Sequence, residues 1–262
     1  MSAEDLTYSV DPVGVATIRF ARPQSLNALT SEMIEELLPA ACSRATRSPD
    51  VRVVVITGTG RGFCSGADVS ERLGTVAARD DAAAAIGPLG AFAYSVWSIP
   101  KPVIAAVNGV AAGGGMSLAA AADFRIMVAS ARYVPAFLRR GLMPDSGLTF
   151  TLPRLVGVPK ATDILMTGRA VGAMEALRIG LADQVVSDEL FDSAVDTFAH
   201  QLAEGPAAAM SFTKRALQRA GGGDFLRQLD FESWGQSQCF KSEEFVDGIR
   251  EFSEKRSQKF RG

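Results

Sequence analysis

Two glycine-rich loops carry the residue types best suited to chemistry. Thr57-Gly58-Thr59-Gly60-Arg61-Gly62-Phe63-Cys64-Ser65-Gly66 follows the apolar run Val51 to Ile56, and Gly113-Gly114-Gly115 follows Val103 to Val107 and the turn Asn108-Gly109. Neither loop holds a phosphate-gripping lysine. The first also lacks dinucleotide-binding spacing, since Phe63 stands where that fingerprint needs a glycine. Gly115-Met116-Ser117-Leu118-Ala119 approaches a nucleophile elbow but lacks its last glycine. The single histidine, His200, falls in a predicted C-terminal helix and reads as a satisfied or exposed side chain. With one histidine and three scattered cysteines, Cys42, Cys64 and Cys239, no metal cluster is expected. What the loops do offer is backbone N–H groups. Gly114 lies at the predicted start of a helix, whose dipole favours negative charge, so its N–H is half of an oxyanion hole. A second N–H near Ala67 completes the pair if the two strand–loop–helix units stack in parallel.

The elements that must position these loops are legible in the hydrophobic pattern. Leu6 to Val10 and Val13 to Phe20 alternate across a turn at Asp11-Pro12, which predicts a hairpin. A helix capped by Thr30 follows, with Met33, Ile34, Leu37, Leu38 and Ala41 on one face and a kink at Pro39. Val51 to Ile56, apart from Arg52, and Val103 to Val107 are apolar, as strands buried on both faces are. Thr57 to Gly66 is read as a loop because of its glycines, and Met116 to Ala122 as a small-residue helix. Glu71 to Gly90 has no clean period and is expected to be a loop or loose helix at the pocket rim. From about Glu189 the pattern is helical, over Glu189–Ala203, Pro206–Arg219, Asp224–Cys239 and Ser242–Glu254, with Gly221-Gly222-Gly223 as a break. The fold class is therefore α/β, with a core over residues 1–195 and a helical region over 196–262.

Bulk properties narrow the function. The 262 residues suffice for one large α/β unit with a helical appendage. With 27 basic and 29 acidic residues, nothing points to nucleic acid. The odd cysteine count and the lack of a basic-then-apolar opening predict a reduced, cytoplasmic protein, and no apolar stretch approaches the roughly 20 residues of a membrane span. The basic tail Glu254 to Arg261 reads either as a solvated end or as a phosphate contact.

Several runs together resemble the crotonase family, also called the enoyl-CoA hydratase/isomerase superfamily. They are Arg22-Pro23-Gln24-Ser25-Leu26-Asn27-Ala28-Leu29, Gly62-Phe63-Cys64-Ser65-Gly66-Ala67-Asp68-Val69 and Val107-Asn108-Gly109-Val110-Ala111-Ala112-Gly113-Gly114-Gly115. Thr167-Gly168-Arg169, Gly180-Leu181-Ala182 and Glu254-Lys255-Arg256 extend the likeness over nearly the whole chain. The resemblance implies a spiral of ββα units with a helical C-terminal region, usually assembled as a homotrimer or dimer of trimers. It implies an acyl-CoA thioester as substrate and no separate cofactor or metal. By it, Ala67 and Gly114 supply the oxyanion N–H groups, and Ser25, Leu26, Ser65 and Ala67 line the coenzyme A adenine end. Lys255 and Lys259 are placed to reach a phosphate, and Asp68 and Asp123 are structural, one at a helix start and one in a buried pair.

The chain departs from family hydratases at both glutamates that handle water, whose places hold Ser117 and Phe137. Gly141-Leu142-Met143-Pro144-Asp145-Ser146-Gly147 instead resembles the phenylacetate-pathway enoyl-CoA isomerase branch, in which that aspartate is the proposed base. Asp145 is the catalytic candidate, with a helix N-cap as its plainer role. Burial against Phe137, Leu142 and Met143 is expected to raise its pKa. The leading expectation is a shift of an enoyl-CoA double bond from Δ3 to Δ2, or a ring-type acyl-CoA isomerisation. Enoyl-CoA hydration, decarboxylation and non-catalytic acyl-CoA binding are the alternatives. Phe92, Tyr94, Trp97 and Phe137 could line an acyl pocket, although plain core is the expected role for most of them.

Overall fold

A computed structural model describes residues 5–68 and 90–220, together with residues 229, 231, 233–236, 238 and 243. The expected rim segment 71–89, Cys239, the basic tail with Lys255 and Lys259, and most of the last two expected helices lie outside the described residues.

The opening hairpin forms as the alternation predicts. β1 (Leu6–Val10) runs antiparallel to β2 (Val15–Phe20), and Asp11 Oδ1 accepts the N–H groups of Val13 and Val15 at 3.0 and 2.8 Å in the turn. Thr30 Oγ1 accepts the Met33 N–H at 3.1 Å, so the expected cap is present. Where the sequence predicts a kink at Pro39, a π-helical turn over Met33–Leu37 leads into α1 (Leu38–Arg47). Pro39 sits just past this turn, where the helix changes from π-helical to α-helical and the missing N–H removes one bond at the junction.

Each following unit sends a long strand into one sheet and a short strand into another. β3 (Val53–Gly58), β5 (Val103–Val107), β7 (Phe124–Val128) and β10 (Gln184–Val186) extend the hairpin into a six-stranded sheet ordered β1-β2-β3-β5-β7-β10. Beyond the first antiparallel pair its neighbours are parallel, with Ile56 opposite Ala105 and Ala105 opposite Arg125. β4 (Gly62–Cys64), β6 (Val110–Ala112), β8 (Arg132–Val134) and β9 (Val171–Gly172) make the second sheet, parallel except for β9. The units therefore stack in parallel as a spiral. β3 and β5 are buried along their whole length, in keeping with their apolar sequence, and the one polar side chain, Thr57 in β3, donates its hydroxyl to Ala106 O.

Reading Thr57 to Gly66 as one loop needs correction, because β3 runs on to Gly58 and Gly62–Cys64 is a strand. The glycines there make room as much as they make turns. A Cβ on Gly58 would collide with the carbonyl oxygens of Gly62 and Phe63, and one on Gly115 with that of Cys64.

The helices after the turns are α2 (Ala91–Trp97), α3 (Gly114–Ala121), α4 (Leu148–Val156), α5 (Val158–Thr167) and α6 (Ala173–Arg178). α3 is buried on all sides beyond its first residue, which explains its run of Ala and Gly. Among the described residues the C-terminal helices are α7 (Phe191–Ala203) and α8 (Ala207–Arg219). α7 runs across the 195/196 division, and its Val195, Ala199 and Ala203 join the main core. α8 is held by a buried pair, Lys214 Nζ to Asp123 Oδ2 at 2.7 Å, so Asp123 is the paired carboxylate expected. His200 Nε2 meets Asp11 Oδ2 at 2.8 Å and is a satisfied surface histidine. No helix of the described residues is long and apolar enough to cross a membrane.

Candidate active site

The first loop turns outward at Gly66, whose φ of +91° suits only glycine. Leu29 and Ala67 pair as a parallel bridge, in which the Leu29 N–H donates to Gly66 O at 2.8 Å and the Asp68 N–H to Leu29 O at 2.9 Å. That pattern points the Ala67 N–H away from Leu29. The second donor arises at the N-terminus of α3, where Gly113 (φ +52°) turns the chain and gives its own N–H to Val134 O. Gly114 is the first residue of α3, so its N–H has no carbonyl within the helix to meet. Neither the Ala67 nor the Gly114 N–H has a hydrogen-bond partner among the described residues. The two loops touch, since a Cβ built on Gly66 would stand 3.2 Å from Gly114 N. The structure thus brings the two expected oxyanion donors side by side, at partly open positions.

The loops carrying Ser25, Leu26 and Ser65 are knitted together beside this pair. The Ser65 N–H donates to Leu26 O and its hydroxyl to Ser25 O, both at 3.0 Å. Leu26 and Asn27 both take positive φ, and buried Asn27 enforces the turn by donating to Thr59 O and Gly62 O and accepting the Arg22 N–H. Arg22 braces the site from outside, with Nη1 2.7 Å from Ala28 O and 3.1 Å from Asp68 Oδ2. Sequence reasoning gave Arg22 and Asn27 no role. Their signal was there, as an arginine and a turn-tolerant asparagine bracketing one short run.

Asp145 reaches the same helix from the other direction. Its carbonyl oxygen accepts the buried Ser117 hydroxyl at 3.2 Å, which seats the Asp145 loop on α3 one turn beyond Gly114. Its carboxylate Oδ1 accepts the Ser146 hydroxyl at 2.9 Å. The helix-cap role fails, because α4 begins at Leu148 behind Gly147 and has no side-chain cap bond. The expected apolar enclosure is only partial. Phe137 is buried, but Leu142 is 42% and Met143 73% exposed.

Behind Ser146 lies a cavity of about 420 Å³ lined by Ala93, Tyr94, Trp97, Ala121, Phe150 and Thr151 among others. Tyr94 and Trp97 therefore face open space, whereas Phe92 and Phe137 belong to the core. Thiol chemistry finds no support at the two described cysteines, as burial pushes Cys42 up to about 11 and Cys64 to about 12. Among the described residues no cluster of three or more His, Cys, Asp or Glu could hold a metal ion.

Comparison with known proteins agrees with the fold. A family profile described as Enoyl-CoA hydratase/isomerase matches residues 11–262. A protein named "Probable enoyl-CoA hydratase" from Rhodobacter capsulatus is 38% identical, with all of both chains covered. The 1,2-epoxyphenylacetyl-CoA isomerase of Escherichia coli is 36% identical over 95% of each chain. A crystal structure of an enoyl-CoA hydratase/isomerase from Cupriavidus metallidurans superposes with a TM-score of 0.90 at 29% identity, covering 97% of this chain and 95% of that one. With the spiral, the paired amides and whole-length matches in agreement, the chain belongs to the enoyl-CoA hydratase/isomerase family.

Proposed function

We propose that the protein is an enoyl-CoA isomerase that moves a double bond from the 3,4 to the 2,3 position of an acyl-CoA thioester. The thioester oxygen sits between the Ala67 and Gly114 N–H groups. Asp145 takes a proton from C2, and the C–H electron pair delocalises into a dienolate whose negative oxygen the two amides hold. The same carboxyl returns the proton at C4, which leaves the double bond conjugated with the carbonyl. Each amide donor contributes roughly 3–4 kcal/mol of barrier lowering in sites of this type. Ser25, Leu26, Ser65 and Ala67 face the adenine end of coenzyme A, and no step draws on another cofactor.

The observation that carries the reading is the use made of Ser117. It occupies a hydratase glutamate's place, and its hydroxyl lies 3.2 Å from the Asp145 carbonyl oxygen and 3.4 Å from that of Gly113. Buried Phe137 fills the other place. Among the described residues Asp145 is the carboxylate whose loop is seated on this part of α3, and one shuttling acid suffices for isomerisation where water addition needs a second group.

A 3-enoyl-CoA and a 2-enoyl-CoA offered side by side, with Asp145→Asn as control, test this. Rising conjugated absorbance from the 3-enoyl substrate, abolished in Asp145→Asn, is expected. Loss of absorbance from the 2-enoyl substrate alone would establish hydration instead. The assembly proposed is a homotrimer or dimer of trimers, supported by the exposed apolar side chains Met143, Val158, Met166 and Met174, and light scattering of the purified protein measures it.

A further inference from the structure

We propose that Ser146 is a positioning residue for Asp145, fixing the rotation of its carboxylate by a side-chain hydrogen bond. The proposal rests on the reading of Asp145 as the base. Two serines hold that aspartate from different sides. Ser117, on α3, takes the main-chain oxygen at 3.2 Å, and Ser146 takes carboxylate Oδ1 at 2.9 Å. The first contact places the backbone of residue 145, and the second orients its side chain.

The backbone at 146 makes this more than a neighbourly contact. Ser146 is 6% exposed and has φ +53°, a left-handed conformation in which a serine is strained and glycine is at ease. Glycine is not scarce in this turn, since Gly141 and Gly147 both use positive φ on either side. A serine at 146 gives up the relaxed choice, and what it adds is a hydroxyl. That hydroxyl donates to the group proposed to move the proton. Ser146 also lines the aromatic cavity.

Proton abstraction depends on the alignment of carboxylate and C–H bond, so loss of the hydroxyl acts on turnover more than on binding. The experiment measures kcat and KM for 3-enoyl-CoA conversion, and melting temperature, in wild type, Ser146→Gly, Ser146→Ala and Asp145→Asn. Ser146→Gly is expected to lower kcat about ten-fold, the order of loss for one hydrogen bond to a charged group, with KM within two-fold. Its melting temperature stays at or above that of wild type because glycine relieves φ +53°. Ser146→Ala, which keeps the strain, shows the same kcat loss without that relief. Wild-type kcat in Ser146→Gly, or a KM rising in step with the kcat loss, overturns the proposal. An inactive Asp145→Asn beside a fully active Ser146→Gly sinks this inference alone, whereas an active Asp145→Asn removes the base and the inference together.

Discussion

A methyl group placed on Gly66 would stand 3.2 Å from the backbone nitrogen of Gly114 and 2.9 Å from Ala112 O. One missing side chain in the first loop therefore keeps open the space that the second loop's N–H faces. Gly66→Ala should close that space, strain φ +91°, and reduce turnover by at least 100-fold. Coenzyme A thioester affinity and kcat measured together check it, and a variant with wild-type kcat would mean that the substrate oxygen lies elsewhere.

Gly114 separates the amide from the side chain. It is the first residue of α3, where proline is tolerated and removes only an N–H that the helix leaves unpaired. Gly114→Pro should lose about 100-fold or more in kcat and keep its circular dichroism spectrum. Gly114→Ala keeps the N–H, and its Cβ would come no nearer than ordinary contact, with Phe92 Cζ at 3.4 Å and Gly66 Cα at 3.8 Å, so it should keep most activity.

Lys214 and Asp123 hold α8 to the start of β7. Burial pushes the Asp123 carboxyl up against the opposing pull of Lys214, and burial pushes the Lys214 ammonium down. Both directions disfavour the charged forms, so the pair as such adds little net stability at neutral pH. Removing one partner is a different matter. Lys214→Met leaves a buried carboxylate uncompensated and should cost about 3–5 kcal/mol in chemical denaturation. Because deprotonating Asp123 then becomes harder still, the loss should shrink as the pH is lowered into the carboxylate range.

Asp11 behaves in the opposite way. Burial raises its pKa, but the Val15 N–H, His200 and the Val13 N–H together outweigh that and hold the carboxyl below its usual range. A lowered folded pKa gives stability that is present above the ordinary carboxylate value and is lost as pH falls through the folded one. Asp11→Ala should cost about 1 kcal/mol at neutral pH, with the gap to wild type closing below about pH 3–4. Thermal melts of both proteins across pH 2 to 7 would show it.

Much of this was legible from residue order, and what was not has definite causes. The hairpin, the doubly buried strands and the Thr30 cap follow from period and type, which are local properties. The Ala67 and Gly114 amides followed from two glycine loops assumed to stack, and the register of Ile56, Ala105 and Arg125 supplies that stacking. β4 was missed because glycines at 58 and 62 read as turn formers, whereas Gly58 makes room for the carbonyl oxygens of Gly62 and Phe63 and Gly62 for Leu26, contacts no local pattern encodes. The hold of Ser117 on Asp145 was missed for the same reason, as residues 117 and 145 meet only through the spiral, whereas the Ser146 contact is between neighbours and depends on a positive φ that residue type does not announce.

The two proposed oxyanion donors belong to the main chain, at an alanine and at a glycine whose added methyl would be tolerated. An alanine scan would pass over them in silence, since at position 67 it changes nothing and at 114 it keeps the N–H. The electrostatic half of this site is written in loop shape rather than in residue identity, so side chains around it can be exchanged and the anion-holding power retained. Only changes that move the chain or delete an amide will reveal it.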